Sequence, residues 1–249
     1  MCLIVFAWQV IPCVPLIAAA NRDEYYARAT AKAGNWPDHP QIYAGRDLQA
    51  GGSWMGIAQP DDTSSAAGVR FAAITNIRGP QERRTEAPSR GALVADYLAG
   101  SMSAQQYVAA IAPKSDAYNG FNLVLGDGTT LIWFSNRGQD DERNGQPLAP
   151  GIYGLSNALL DAPWPKVLKT KAQFASLLCQ CAPDDAYFDM LSDTTPALDY
   201  RLPETGVSIE LERALSSVCI ALPDYGTRTS TVVKLYADAP ASLHEVLIR

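Results

Sequence analysis

Cys2 is the first residue of this chain able to do covalent chemistry. Aminopeptidases remove an initiator methionine when the second residue is small, and cysteine is small. Loss of Met1 would leave Cys2 with a free α-amine beside its own thiol. Such an amine has an unperturbed pKa of about 8. It can serve as general base for the thiol, as an N-terminal amine does for threonine. A Cys–His pair is the competing design, but His39 and His244 are the only histidines and neither lies in a motif. The plainer reading of Cys2 is a small apolar residue opening a buried strand. The next polar cluster is Asn21-Arg22-Asp23-Glu24. An aspartate near an amine orients it and favours its charged form, and an arginine near a thiol favours thiolate. Its plainer reading is an ion pair capping a strand end. Three later stretches add donors: Asn76 closes Ala73-Ile74-Thr75-Asn76, Asn157 closes a loop begun at Tyr153, and Arg228 lies in Tyr225-Gly226-Thr227-Arg228-Thr229. An asparagine amide can line an oxyanion hole and an arginine can hold an anion. Each of these alone also reads as an ordinary turn residue.

The elements that carry these residues follow from periodicity. Residues 2–8 are β-branched and aromatic and predict a buried strand. Pro12 and Pro15 mark a turn, and residues 16–22 predict a second strand. An antiparallel hairpin of the two returns Arg22 and Asp23 beside Cys2. Strands are predicted at 51–58 and 70–77, separated by a Ser/Asp/Gly loop. Helices are predicted at 88–98 and 104–112, then a hairpin of 122–125 and 130–135 turned at Asp127-Gly128. Residues 165–181 have helical spacing, with Val167, Leu168, Phe174, Leu177 and Leu178 apolar, and 186–192 predict another helix. A last pair of strands is predicted at 218–222 and 229–236. Strands and helices in this order imply an α+β fold with helices packed on antiparallel sheets. No repeat or linker interrupts residues 1–249, so one domain is expected. Among the tryptophans, only Trp54, set among glycines, is a candidate pocket wall.

Composition narrows the function classes. The chain has 249 residues, 47% hydrophobic and 18% charged, which suits a globular protein with a sizeable core. A net charge of −6 without a basic run argues against nucleic acid or an anionic membrane surface. The apolar run of residues 2–20 ends in three alanines but lacks a positive leader and is broken by Pro12 and Pro15. It predicts neither a signal peptide nor a membrane span, so the expected location is cytoplasmic. The five cysteines are irregularly spaced, and Cys179-Gln-Cys181 alone cannot make a zinc site. They are expected to be reduced thiols, and no metal is expected.

The ordered set Met1-Cys2, Ala18 through Glu24, Gly52-Ser53-Trp54-Met55-Gly56-Ile57, Tyr118 through Leu123, Tyr153 through Trp164 and Tyr225 through Thr229 resembles the NRDE-motif family, the transport and Golgi organisation family. That family looks like a branch of the N-terminal-nucleophile hydrolases. The resemblance implies a four-layer αββα sandwich of antiparallel sheets flanked by helices. Cysteine members, such as bile salt hydrolases and penicillin V acylases, cut non-peptide amide bonds. By motif, Cys2, Asp23, Asn76, Asn157 and Arg228 fall on their site positions. Those acylases place an arginine three residues before the aspartate, whereas Arg22 directly precedes Asp23. Adjacent strand residues face opposite sides, so both reach Cys2 only if a bulge intervenes. The function implied is amide hydrolysis of a small acylated substrate by Cys2, with no cofactor. The alternative implied is non-enzymatic binding and trafficking of haem, a lipid or an acyl-CoA on the same fold. The expected partner is therefore an acyl-amide or an apolar small molecule.

Overall fold

The computed structural model describes residues 2–59, 68–82 and 84–249. The expected loop between the strands near 51–58 and 70–77 falls largely on 60–67, outside the described residues, as does Met1. In chain order, β1 (Cys2–Ile11) and β2 (Val14–Tyr25) form a hairpin. They are followed by β3 (Thr30–Trp36), β4 (His39–Asp47), β5 (Met55–Ala58) and β6 (Arg70–Asn76). The helices α1 (Gly91–Ala99) and α2 (Ala104–Ile111) lead to β7 (Phe121–Gly126), β8 (Leu131–Ser135) and β9 (Gly151–Leu155). Then come α3 (Pro165–Cys179), α4 (Asp184–Leu191), α5 (Ile209–Leu215), β10 (Tyr225–Leu235) and β11 (Ser242–Leu247).

Two antiparallel sheets result, ordered β11-β10-β2-β1-β9 and β3-β4-β5-β6-β7-β8. The turn of the first hairpin is set by Cys13, whose φ is 62°. The ladder shifts register once between Trp8 and Ile11, where Gln9 has a φ of 51°, and from Trp8 onward it aligns Ile4 with Ala20, Leu3 with Asn21 and Cys2 with Arg22. Side chains alternate from there. Ile4, Phe6, Trp8, Leu16, Ala18 and Ala20 face the second sheet and meet Trp54, Phe71 and Trp133. Leu3, Val5, Ala7, Ile17 and Ala19 face the opposite way, against α3 and α4 at Val167, Phe174, Tyr187 and Leu191. The outer face of the second sheet is covered by α1 and α2 through Leu93, Val94, Tyr97 and Val108. The layers therefore run helix, sheet, sheet, helix, an α+β sandwich.

Several elements differ from the sequence expectation. Strands β3, β4, β9 and β11 and helix α5 were not anticipated, and α1 begins at Gly91 rather than 88. Tyr153 to Leu155 is strand β9 rather than loop, paired through Leu155 with Ile4. Residues 218–222 are not a ladder strand. The Asn21 side-chain amide donates to the carbonyl of Val218 at 2.9 Å, and β10 pairs with β2 and β11 instead. The buried face of α3 is Lys166, Val167, Thr170, Phe174 and Leu178, whereas Leu168 is 44% exposed.

One close approach joins the second sheet to the start of α1. The Ser53 N–H donates to the Gly91 carbonyl at 3.2 Å, and a Cβ on Gly52 would collide with the Gly91 backbone. Backbone cannot give way as a side chain end can. Gly52→Ala is expected to destabilise the fold by about 1–3 kcal/mol, the usual cost of overpacking. Thermal unfolding of the variant checks this, and an unchanged midpoint would contradict it.

Candidate active site

Cys2 is half-buried at the N-terminal end of β1, directly across from Arg22. Its carbonyl accepts from Ser156 Oγ at 3.0 Å, which ties the strand end to the loop after β9. The residue lies in the wall of a cavity of about 370 Å³ that also includes Arg22, Asp23, Trp54, Asn76 and Arg90. Arg22 and Cys2 continue the alternation toward the second sheet. The Arg22 guanidinium lies 4.2 Å from the Trp54 ring centroid, donates to Thr30 Oγ1 at 3.4 Å and sits 3.8 Å from Glu24.

Asp23 continues the other face of β2. Its carboxylate accepts from Thr227 Oγ1 at 2.6 Å, and that oxygen in turn accepts from the Ile220 N–H at 2.9 Å. β2 carries no bulge here, and Arg22 and Asp23 accordingly point to opposite faces, as strand alternation expects. The Arg22 guanidinium acts on Cys2 through its charge, and Asp23 through its backbone N–H and the field of its carboxylate. The ladder irregularity falls on β10, where Arg228 is the extra residue between Thr227, opposite Asp23, and Thr229, opposite Arg22.

The electrostatics follow from burial. Withdrawal from water pushes the Cys2 thiol up and the Asp23 carboxylate adds to that rise, while the Arg22 guanidinium and the Asp23 N–H act the other way. Burial also raises the Asp23 carboxyl, opposed first by the Lys166 ammonium. Lys166 is itself buried, and desolvation brings its pKa down to about 8. Its Nζ has no hydrogen-bond partner among the described residues. Arg78 completes the group, paired with buried Glu212 at 2.8 Å.

The remaining sequence candidates stand differently. Asn76, at the end of β6, lines the cavity. Asn157 is fully buried and does not line it; its amide donates to the Asn76 carbonyl at 2.8 Å. Arg228 does not line it either. Its guanidinium donates to the Arg28 carbonyl and, at 3.2 Å, to Thr30 Oγ1, the same oxygen that Arg22 uses. It braces the segment between β2 and β3. The sequence reading did not single out Lys166, Arg28, Arg78 or Arg90. A lysine opening a helix and arginines in a polar stretch carry the same signal as solvated surface. Among the described residues, no group of three or more His, Cys, Asp or Glu side chains could hold a metal ion, and no helix is long and apolar enough to cross a membrane.

Fold and site together define an α+β sandwich with a cysteine opening an inner strand of the first sheet. A family model described as Transport and Golgi organisation 2 matches residues 1–248. The Transport and Golgi organization protein 2 homolog of Bos taurus is 35% identical, over 98% of this chain and 92% of its own. The homolog of Homo sapiens is 34% identical over the same shares. The chain belongs to the Transport and Golgi organisation 2 family. Among solved structures, it is similar to a Caenorhabditis elegans N-acylethanolamine-hydrolyzing acid amidase ortholog, with a TM-score of 0.45 and 11% identity over 92% of this chain and 91% of that one.

The Asp23–Lys166 pair yields a pH-dependent prediction. A carboxyl whose folded pKa is raised loses stability as pH climbs from its unfolded value toward its folded one. Lys166 opposes that rise, so removing it extends the unfavourable window upward. Lys166→Met is expected to lower the thermal midpoint more at pH 7 than at pH 5, with the difference abolished by adding Asp23→Asn. Equal losses at both pH values would show that the ammonium does not act on Asp23.

Proposed function

We propose that the protein is a cysteine N-terminal-nucleophile hydrolase that cuts a non-peptide C–N bond, the amide of a small acylated substrate. The observation that carries this reading is the place of Cys2. It opens a buried strand, pairs with Arg22 and lies in the wall of a cavity to which Asp23 and Asn76 also contribute. The motif resemblance to the cysteine acylases supports it.

The chemistry requires that Met1 be removed. The Cys2 thiol then gives its proton to the Cys2 α-amine and the thiolate attacks the amide carbon. Asn76 donates to the developing oxyanion from the cavity wall. Asn157 acts at one remove, since its amide holds the Asn76 carbonyl. The protonated amine passes its proton to the leaving nitrogen as the C–N bond breaks, leaving an acyl thioester on Cys2. Water attacks the thioester carbonyl, the amine accepts a proton from it, and the carboxylic acid and the free thiol are released. Arg22, fixed against Trp54, favours the thiolate form. Asp23, beside the strand end, orients the ammonium state of the amine. No step needs a cofactor.

Intact mass before and after brief iodoacetamide treatment tests the first requirement. The expected result is a mass lacking methionine, with Cys2 labelled far faster than Cys13, Cys179, Cys181 or Cys219. Retained Met1, or a Cys2 no more reactive than Cys179, would remove the general base and overturn the reading. Asn76→Ala is expected to slow acylation of Cys2 by about 10²–10³-fold, the usual cost of losing one oxyanion donor. Single-turnover mass spectrometry of the acyl-enzyme reads this directly.

A further inference from the structure

The cavity at Cys2 adjoins a second, of about 500 Å³, and the two share Glu24, Arg28, Asn76 and Arg90 in their walls. Three guanidinium groups wall the second cavity, those of Arg28, Arg78 and Arg90, against the two carboxylates of Glu24 and Glu82. Nearly all of these charges are already matched. Glu24 lies 3.8 Å from Arg22 and 3.7 Å from Arg28, and Arg28 is 2.7 Å from Asp47. Glu82 pairs with Arg137 at 2.8 Å and accepts from the Gly120 N–H. Arg78 pairs with Glu212 at 2.8 Å.

Arg90 is the exception. Among the described residues it forms no ion pair, and its guanidinium donates only to the Gly120 carbonyl, at 3.0 Å. It stands partly buried at the junction of the two cavities, close enough to Cys2 to feel a thiolate there. Glu82 and, more weakly, Glu24 act on it through space, but both carboxylates are bonded to other groups; a guanidinium withdrawn from water without a partner of its own is unfavourable, and it cannot escape by losing its proton. The position also precedes α1, whose first turn carries no acidic residue, so the positive pole of the helix adds to the same field. The excess is local, since the protein as a whole carries a net charge of −6.

We propose that Arg90 is the binding site for an oxyanion group of the substrate, a carboxylate or a phosphate, so that the amides processed at Cys2 are anionic ones. This names the substrate class and rests on the hydrolase reading above. The planar fork of Arg90 has donors to spare beyond the one given to Gly120, and that fork matches a carboxylate or phosphate edge. The scissile carbonyl then lies at Cys2 and Asn76 while the anion lies at the junction.

Binding to the full chain carrying Cys2→Ala separates recognition from chemistry. Calorimetric titration would use N-octanoylglycine, N-octanoylethanolamine and the O-phosphate of the latter. At least one anionic amide is expected to bind tenfold or more tightly than the neutral one, and which of the two does so identifies the group. Arg90→Gln in the same background is expected to erase that preference, and Arg90→Lys to keep part of it. Should Arg90→Gln fail to fold, the preference in the Arg90 protein is expected to shrink between 50 and 500 mM salt, while neutral binding holds. Equal binding of all three amides, or a preference that survives Arg90→Gln or the added salt, would overturn the proposal. An Arg90-dependent preference without cleavage of any of the three by the Cys2 protein would uphold the subsite and remove the hydrolase reading. Cleavage without preference would do the reverse.

Discussion

The pairing of Cys2 with Arg22 is the constraint from which the site follows. It is set by the turn at the far end of the hairpin together with the register shift between Trp8 and Ile11, and from Trp8 the side-chain period of two carries it back to the strand end. A slip of one residue would send every side chain of one strand to the opposite face. That slip is strongly disfavoured, because residues 3–8 are buried on both faces, against the second sheet on one side and α3 and α4 on the other. The apolar sandwich thus does more than stabilise the molecule. It decides that Arg22 stands in the cavity and that the Asp23 carboxylate stands behind it.

Behind the strand end, four charges are buried together: Asp23, Lys166, Arg78 and Glu212. Their formal sum is zero, yet the arrangement is not a simple set of pairs, since the Lys166 ammonium has no hydrogen-bond partner among the described residues. Burying charge in this way is a poor route to stability. A cluster of buried titratable groups beside a cysteine in a cavity is what functional sites tend to contain. The second sheet contributes the opposite kind of support, uncharged and rigid. Trp54 fills the space over Gly45 and beneath Arg22, and Gly52 lets the start of α1 come close enough to bring Arg90 to the cavity.

Much of this was legible from the chain alone, and the reasons are local. The run from Cys2 to Trp8 and the prolines after it specify the first hairpin, and the hairpin specifies the neighbours of Cys2. Asn76 was readable as the polar end of an apolar strand. The strands from Thr30 to Asp47 were not. They contain Gly34, Asn35, Asp38 and Pro40, turn-formers by composition, and their ladder is broken by register shifts that spoil any period-two pattern. On α3 the buried stripe takes in Lys166 and Thr170 beside Val167, Phe174 and Leu178 and leaves Leu168 exposed, and the Asp23 carboxylate favours the charged form of Lys166 there. That carboxylate stands on a strand far away in sequence. Asn157 and Arg228 were identified by motif, yet they stand one layer behind the cavity, holding Asn76 and the Thr30 segment. A motif records that a residue matters to a site without recording whether it touches what the site holds.

The contacts that close the site span almost the whole chain. Ser156 reaches Cys2 across 154 residues, and Thr227 reaches Asp23 across 204. At a synthesis rate of about 5–20 residues per second, the first strand waits roughly 10–40 s for the last of these partners. Through that interval the hairpin can pack on the second sheet and pair with β9, but β2 lacks β10 along its other edge. The Thr227 bond to the Asp23 carboxylate is thus among the last contacts of the site whose partners become available.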